Sequence, residues 1–270
     1  MASLKKIKET RGIPRDSHFT LWNKYVCSHI SIYITKILLY TPITANQVTF
    51  LMLVLGIAGS IFLFNGFFIA GLLLLHLAVV LDNVDGEIAR FKNQRSMMGK
   101  YLDGIYHVTV SQLMLFGYAY GIYSLYPSKL LIIFGFMAAM FSKSLILPSL
   151  FDVIVTMRIK GMHPPVKIKT DGSEVKEIEG QAENYNSGLL KIYNILKEFW
   201  EHPFNLIALT ILYAWEVYNL KRLILPAYSA TVAFFVLYGT FVTLNQIASF
   251  VVHTKRNSIE SFYVFLFGRK

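Results

Sequence analysis

Five side chains could carry chemistry. Asp82, Asp85 and Glu87 cluster at the end of one apolar run, and Asp103 and His107 lie near the start of the next. A carboxylate inside a membrane span costs about 2.5–3.5 kcal/mol on insertion scales, so acids are rare there and mark function. Their spacing is helical. Asp82, Asp85, Gly86, Ala89 and Arg90 fall at i, i+3, i+4, i+7 and i+8, and Gly99, Asp103 and His107 at i, i+4 and i+8. Each set therefore shares one helix face. Only eight residues, Phe91 to Met98, join the two runs, so the helices are expected to be antiparallel neighbours whose polar faces meet. Converging carboxylates repel one another unless a cation holds them, and hard oxygen ligands favour Mg²⁺ or Mn²⁺. The glycines leave room for a ligand to approach the backbone.

The elements that must position these residues are membrane spans. Of the 270 residues, 54% are hydrophobic and 16% charged, and the mean hydropathy is +0.48. A soluble domain carries about 25% charged residues, so this composition argues against one. Spans need about 20 apolar residues, and six runs qualify: 45–64, 67–90, 99–125, 129–157, 203–220 and 226–253. Asn65-Gly66 is expected to turn between the first two, Tyr126-Pro127-Ser128 separates the third from the fourth, and Pro226 opens the sixth. The predicted fold class is an all-α integral membrane protein, with six spans preceded by an amphipathic interfacial helix.

That helix is expected within 17–40, where Phe19, Trp22, Tyr25, Ile30, Tyr33 and Ile37 recur at helical spacing. The aromatic residues beside Lys24 suit a headgroup layer; packing on protein is the bland alternative. The chain divides into an N-terminal part (1–44), four spans with the acidic cluster (45–157), a polar insertion (158–202), two further spans (203–253) and a tail (254–270). With the N-terminus in the cytosol, the outer connections hold Lys129, Lys221 and Arg222, and Lys143 lies within the fourth span. The remaining 22 of the 26 Lys and Arg fall on the cytosolic side or at cytosolic helix ends. By the positive-inside rule the acidic cluster then faces the cytosol. The net charge of +10 reads as topology and attraction to anionic lipid rather than nucleic-acid binding. One cysteine, Cys27, excludes an intramolecular disulfide.

The run Asp82-Asn-Val-Asp85-Gly86-Glu-Ile-Ala89-Arg90, followed after eight residues by Gly99-Lys-Tyr-Leu-Asp103-Gly-Ile-Tyr-His107, resembles the signature of the CDP-alcohol phosphotransferases. Their pattern is D-x2-D-G-x2-A-R-x8-G-x3-D-x3-D, and seven of its eight fixed positions match with every spacing kept. Asn46-Gln-Val-Thr49 is similar to the family's P-N-x-x-T, with Ala45 in place of Pro. The resemblance implies a metal-dependent enzyme that joins a CDP-activated alcohol to an acceptor alcohol, as in the synthesis of phospholipids or related phosphodiesters, and releases CMP. It implies that Asp82, Asp85 and Asp103 hold one or two Mg²⁺ or Mn²⁺ ions bridging the CDP diphosphate. Gly86, Ala89 and Gly99 would make space for the nucleotide, Arg90 would hold phosphates or carboxylates, and Asn46 and Thr49 would contact the cytosine. It also implies a homodimer.

The departure is the last position, where the family has a fourth Asp, usually assigned as the base, and this chain has His107. Three roles stay open: a neutral imidazole acting as base, a metal ligand, or the mark of a site that binds nucleotide without transfer. Losing one negative charge also leaves the number of metal ions open. A transporter is disfavoured, because the acids sit at helix ends rather than at mid-membrane and no broken helix pair is seen. Gly117 and Gly121 form a small-xxx-small pair that fits either a helix-packing or a dimer seam.

Overall fold

The computed structural model describes residues 26–94, 96–142 and 204–255. Trp22, Lys24, Tyr25, Lys143, the second half of the expected fourth span, the 158–202 insertion and the tail beyond 255 lie outside the described residues. Among the described residues the structure is all helical: α1 (Ser28–Leu38), α2 (Ala45–Phe64), α3 (Phe68–Phe91), α4 (Met97–Leu125), α5 (Lys129–Phe141), α6 (Phe204–Arg222) and α7 (Ser229–Lys255). They fall into two compact units, one of 26–142 with 204–240 and one of 241–255, the second half of α7. Among the described residues three helices are long and apolar enough to cross a membrane: α2, α3 and Ser229–Val251 of α7. Helices α4 and α6 occupy the expected third and fifth spans at 29 and 19 residues, but both carry more polar side chains. Outward-facing Phe50, Val54, Ile61, Ile69 and Leu73 are exposed apolar residues on α2 and α3, as a surface bathed in hydrocarbon requires.

Local chemistry sets the helix ends near the acids. Thr44 and Gln47 form a capping box at the start of α2, with Gln47 N donating to Thr44 Oγ1 (3.3 Å) and Thr44 N to Gln47 Oε1 (2.9 Å). This satisfies two amides that a helix start leaves open. Gly66, at φ +77°, turns the chain from α2 into α3, where a glycine has no steric penalty. Helix α3 ends in a Schellman-type closure around Asn93 (φ 53°), with Gln94 N donating to Ala89 O (2.8 Å); asparagine is among the few residues that tolerate this conformation. Ser96 then caps α4 by accepting from Gly99 N (2.9 Å). Pro226 opens a turn rather than the helix itself, which starts at Ser229. Glu216 of α6, buried, accepts from Tyr228 N (3.0 Å) and from Thr231 N (2.9 Å), and so caps α7 from outside.

The packing centres on α2, which runs along both α3 and α4, while α3 and α4 touch each other over far fewer residues. The expected side-by-side pairing of the two motif helices is thus replaced by a three-helix arrangement with α2 as the common partner. Glycines permit the close approach. A Cβ at Gly59 would stand 2.9 Å from Gly71 O. A Cβ at Gly117 would stand 2.9 Å from Ser60 O, and one at Gly121 would collide with Leu63 O. The Gly117–Gly121 pair is therefore the seam between α4 and α2 of one chain. Gly121→Ala is expected to destabilise the protein by about 1–3 kcal/mol, the usual cost of overpacking a close-packed contact. Thermal unfolding in detergent would register this as a lowered midpoint, and an unchanged midpoint would contradict the packing.

Candidate metal and nucleotide site

A cavity of about 420 Å³ opens where α2, α3 and α4 begin or end. Ala45, Asn46 and Thr49 line it from α2, and Asp82, Asp85, Gly86, Ala89 and Arg90 from α3. The α3–α4 connection adds Gln94 and Ser96, and α4 adds Gly99, Lys100 and Asp103. Every cavity residue suggested by sequence except His107 is in this lining. His107 stands one turn along α4 from Asp103, with Nε2 3.2 Å from Asp103 Oδ1 and 3.8 Å from Asp82 Oδ1. Asp82, Asp103 and His107 each offer one ligand atom, and these atoms lie within 4.8 Å of one another. Two carboxylate oxygens and an imidazole nitrogen at that spacing suit a divalent cation.

Asp85 shares the cavity but is oriented differently. Its Oδ2 accepts from Thr49 Oγ1 at 2.6 Å, so α2 fixes the rotamer of an acid on α3. Thr49, whose expected contact is the cytosine, lines the cavity and holds a carboxylate. Groups that orient a metal-binding side chain are usually worth 10- to 100-fold in metal affinity. Thr49→Val, which keeps the shape and removes the hydroxyl, is accordingly expected to weaken Mn²⁺ binding by about tenfold. Titration followed by the electron paramagnetic resonance (EPR) of free Mn²⁺ measures it, and an unchanged affinity would show that Asp85 needs no such support.

The small residues have visible reasons. A Cβ at Gly99 would lie 2.7 Å from Asn46 Oδ1, which also accepts from Ser96 Oγ (3.1 Å). Asn46 is thus seated against Gly99 and the α4 cap. The Arg90 guanidinium lies over Gly86, with Nη1 3.2 Å from where a Cβ would be. Ala89 completes the wall.

Gln94, Ser96 and Lys100 line the cavity without having been suggested by the motif. Lys100, largely exposed, has Nζ 2.8 Å from Asp103 Oδ2, so Asp103 is shared between an ammonium and an imidazole. Its i, i+3 spacing from Asp103 was the available signal. Ser96 was legible as a helix cap three residues before Gly99. Glu87 does not join the other acids: it is buried on another face of α3, where Ser31 Oγ donates to Oε1 (2.8 Å) and Thr35 Oγ1 to Oε2 (2.6 Å). Helix geometry explains this, because two residues past Asp85 is a rotation of about 200°.

Comparison with known proteins adds the family. No curated protein matches the chain. The family model for CDP-alcohol phosphatidyltransferase matches residues 42–170, a stretch that holds all of the cavity lining and His107. Residues 42–170 of this integral membrane protein belong to the CDP-alcohol phosphatidyltransferase family.

Proposed function

We propose that the protein transfers a substituted phosphate from a CDP-alcohol to the hydroxyl of an acceptor alcohol and releases CMP. The observation that carries the reading is the convergence of Asp82, Asp103 and His107 within 4.8 Å, beside a cavity enclosed by the family-matching region. Asp82, Asp85 and Asp103 would hold one or two Mg²⁺ or Mn²⁺ ions. A bound divalent cation neutralises a diphosphate and makes CMP a good leaving group. Arg90, held over Gly86, meets phosphate oxygens from the α3 side. Asn46 and the glycine-lined wall at Gly99 take the cytidine. His107 accepts the proton of the acceptor hydroxyl at Nε2. The hydroxyl oxygen bonds to the phosphorus of the transferred group as the bond from that phosphorus to the CMP oxygen breaks. Positioning and charge stabilisation supply most of what phosphoryl transfer needs.

In this reading six spans (45–64, 67–90, 99–125, 129–157, 203–220 and 226–253) place the cavity at the cytosolic surface, and the N-terminus lies on the same side. Helix α1 supports an interfacial placement, since its exposed side carries Ile30, Tyr33 and Ile37. The protein acts as a homodimer, with a lipid or another membrane-delivered alcohol as acceptor. His107 in the place of an Asp favours one second reading: a site that binds CDP and metal without transfer. Purified protein in bilayer nanodiscs with Mn²⁺ or Mg²⁺ and a panel of CDP-alcohols separates the two. CMP release that disappears with EDTA supports the enzyme; CDP binding with no CMP from any donor supports the second reading.

A further inference from the structure

We propose that Glu87 is a positioning residue that couples the seating of α1 in a lipid surface to the ligand-bearing face of α3. The inference rests on the functional reading only in taking Mn²⁺ as the probe of that face. Helix α1 is inverted relative to a helix packed on a soluble core. Its inward side is Ser28, Ser31, Ile32 and Thr35, and its outward side carries Ile30, Tyr33 and Ile37. The inward hydroxyls of Ser31 and Thr35 donate to the two oxygens of Glu87, which is 2% exposed. A buried carboxylate is costly unless hydrogen-bonded, so Glu87 and the two hydroxyls hold α1 in register on α3. The apolar outward side then needs an apolar environment, and a lipid interface supplies it.

The link reaches the site through one rigid element. Glu87 follows Gly86 and lies two residues from Asp85, both of which line the cavity. Lys92, just past the end of α3, donates to Thr41 O (3.0 Å) and Ile43 O (2.8 Å) in the segment joining α1 to α2. The cavity end of α3 is thus fastened to α1 and to the segment that follows it. Lifting α1 from lipid pulls on the same helical turn that presents Asp82 and Asp85.

A double-mutant cycle on the full chain in nanodiscs containing anionic lipid tests this, with Mn²⁺ alone as ligand and free Mn²⁺ read by EPR. One arm removes the clamp (Ser31→Ala with Thr35→Val), one places a charge on the lipid side (Ile37→Glu), and one combines them. Each single arm is expected to weaken Mn²⁺ binding about fivefold. The combination should be no weaker than the worse single arm, because both act through one link. A clamp arm with unchanged affinity overturns the proposal, as do two effects that multiply, the pattern expected of general loosening. If the clamp arm does not fold, Glu87→Gln takes its place. An unaltered protein that binds Mn²⁺ yet releases no CMP overturns the enzyme reading while the cycle still decides the coupling. No Mn²⁺ binding at all overturns both.

Discussion

Asp103→Asn is expected to lower CMP release by about 10³-fold, with helix content and thermal midpoint close to those of the unaltered protein. The magnitude is that of removing one preorganised charge-stabilising group from a site that neutralises developing charge. Asp103 is the point where the site's interactions meet. Its Oδ2 pairs with Lys100 at 2.8 Å and its Oδ1 lies 3.2 Å from His107 Nε2. It also belongs to the ligand group with Asp82. Asparagine keeps the volume and one carbonyl oxygen but removes the charge, so the loss falls on cation retention and on the orientation of His107. Lys100 would then face the cavity unpaired with Asp103, which raises the cost of holding a cation there. Near-normal CMP release by folded Asp103→Asn protein would show that the charge at this position is dispensable.

His107→Ala is expected to reduce kcat by about 10²- to 10⁴-fold, the range for loss of a positioned general base. His107→Asp is expected to restore part of it. The accompanying measurements separate the roles of the imidazole. As a base, His107 can be removed with little change in Mn²⁺ affinity; as a ligand, its removal weakens Mn²⁺ binding together with kcat. The pH–rate profile gives a second readout. A carboxylic acid releases its proton more readily than an imidazolium, so the acidic limb should move to lower pH in His107→Asp if this residue takes the proton. An alanine variant with unaltered kcat would remove His107 from the mechanism.

The spacing of Asp82, Asp85 and Gly86, and of Gly99 and Asp103, made the cavity readable before any coordinates, because helical periodicity fixes which side chains share a face. Apolar runs likewise located the long helices among the described residues, α2, α3, α4, α6 and α7, and Asn65-Gly66 located its turn. Other features depended on contacts that no local pattern encodes. Asn46 and Thr49 brought α2 to the site through their own motif, but that Thr49 reaches Asp85 across 36 positions of sequence follows from α2 packing along both motif helices. Gly117 and Gly121 announced a close approach but not its partner, and the partner is the carbonyl edge of α2. Glu87 is close to Asp85 in sequence, and its angular position on the helix separates them. Its hydroxyl partners sit more than fifty residues away, and the sequence of α1 does not reveal that its Ser and Thr side is the buried one.

The most direct measurement is anomalous diffraction from crystals grown with Mn²⁺ and CDP. An anomalous peak is expected among the carboxylates of Asp82 and Asp103, with the diphosphate lying between it and Arg90. A manganese peak only at other acids of the chain, or a CDP bound away from the Gly86–Gly99 wall, would contradict it.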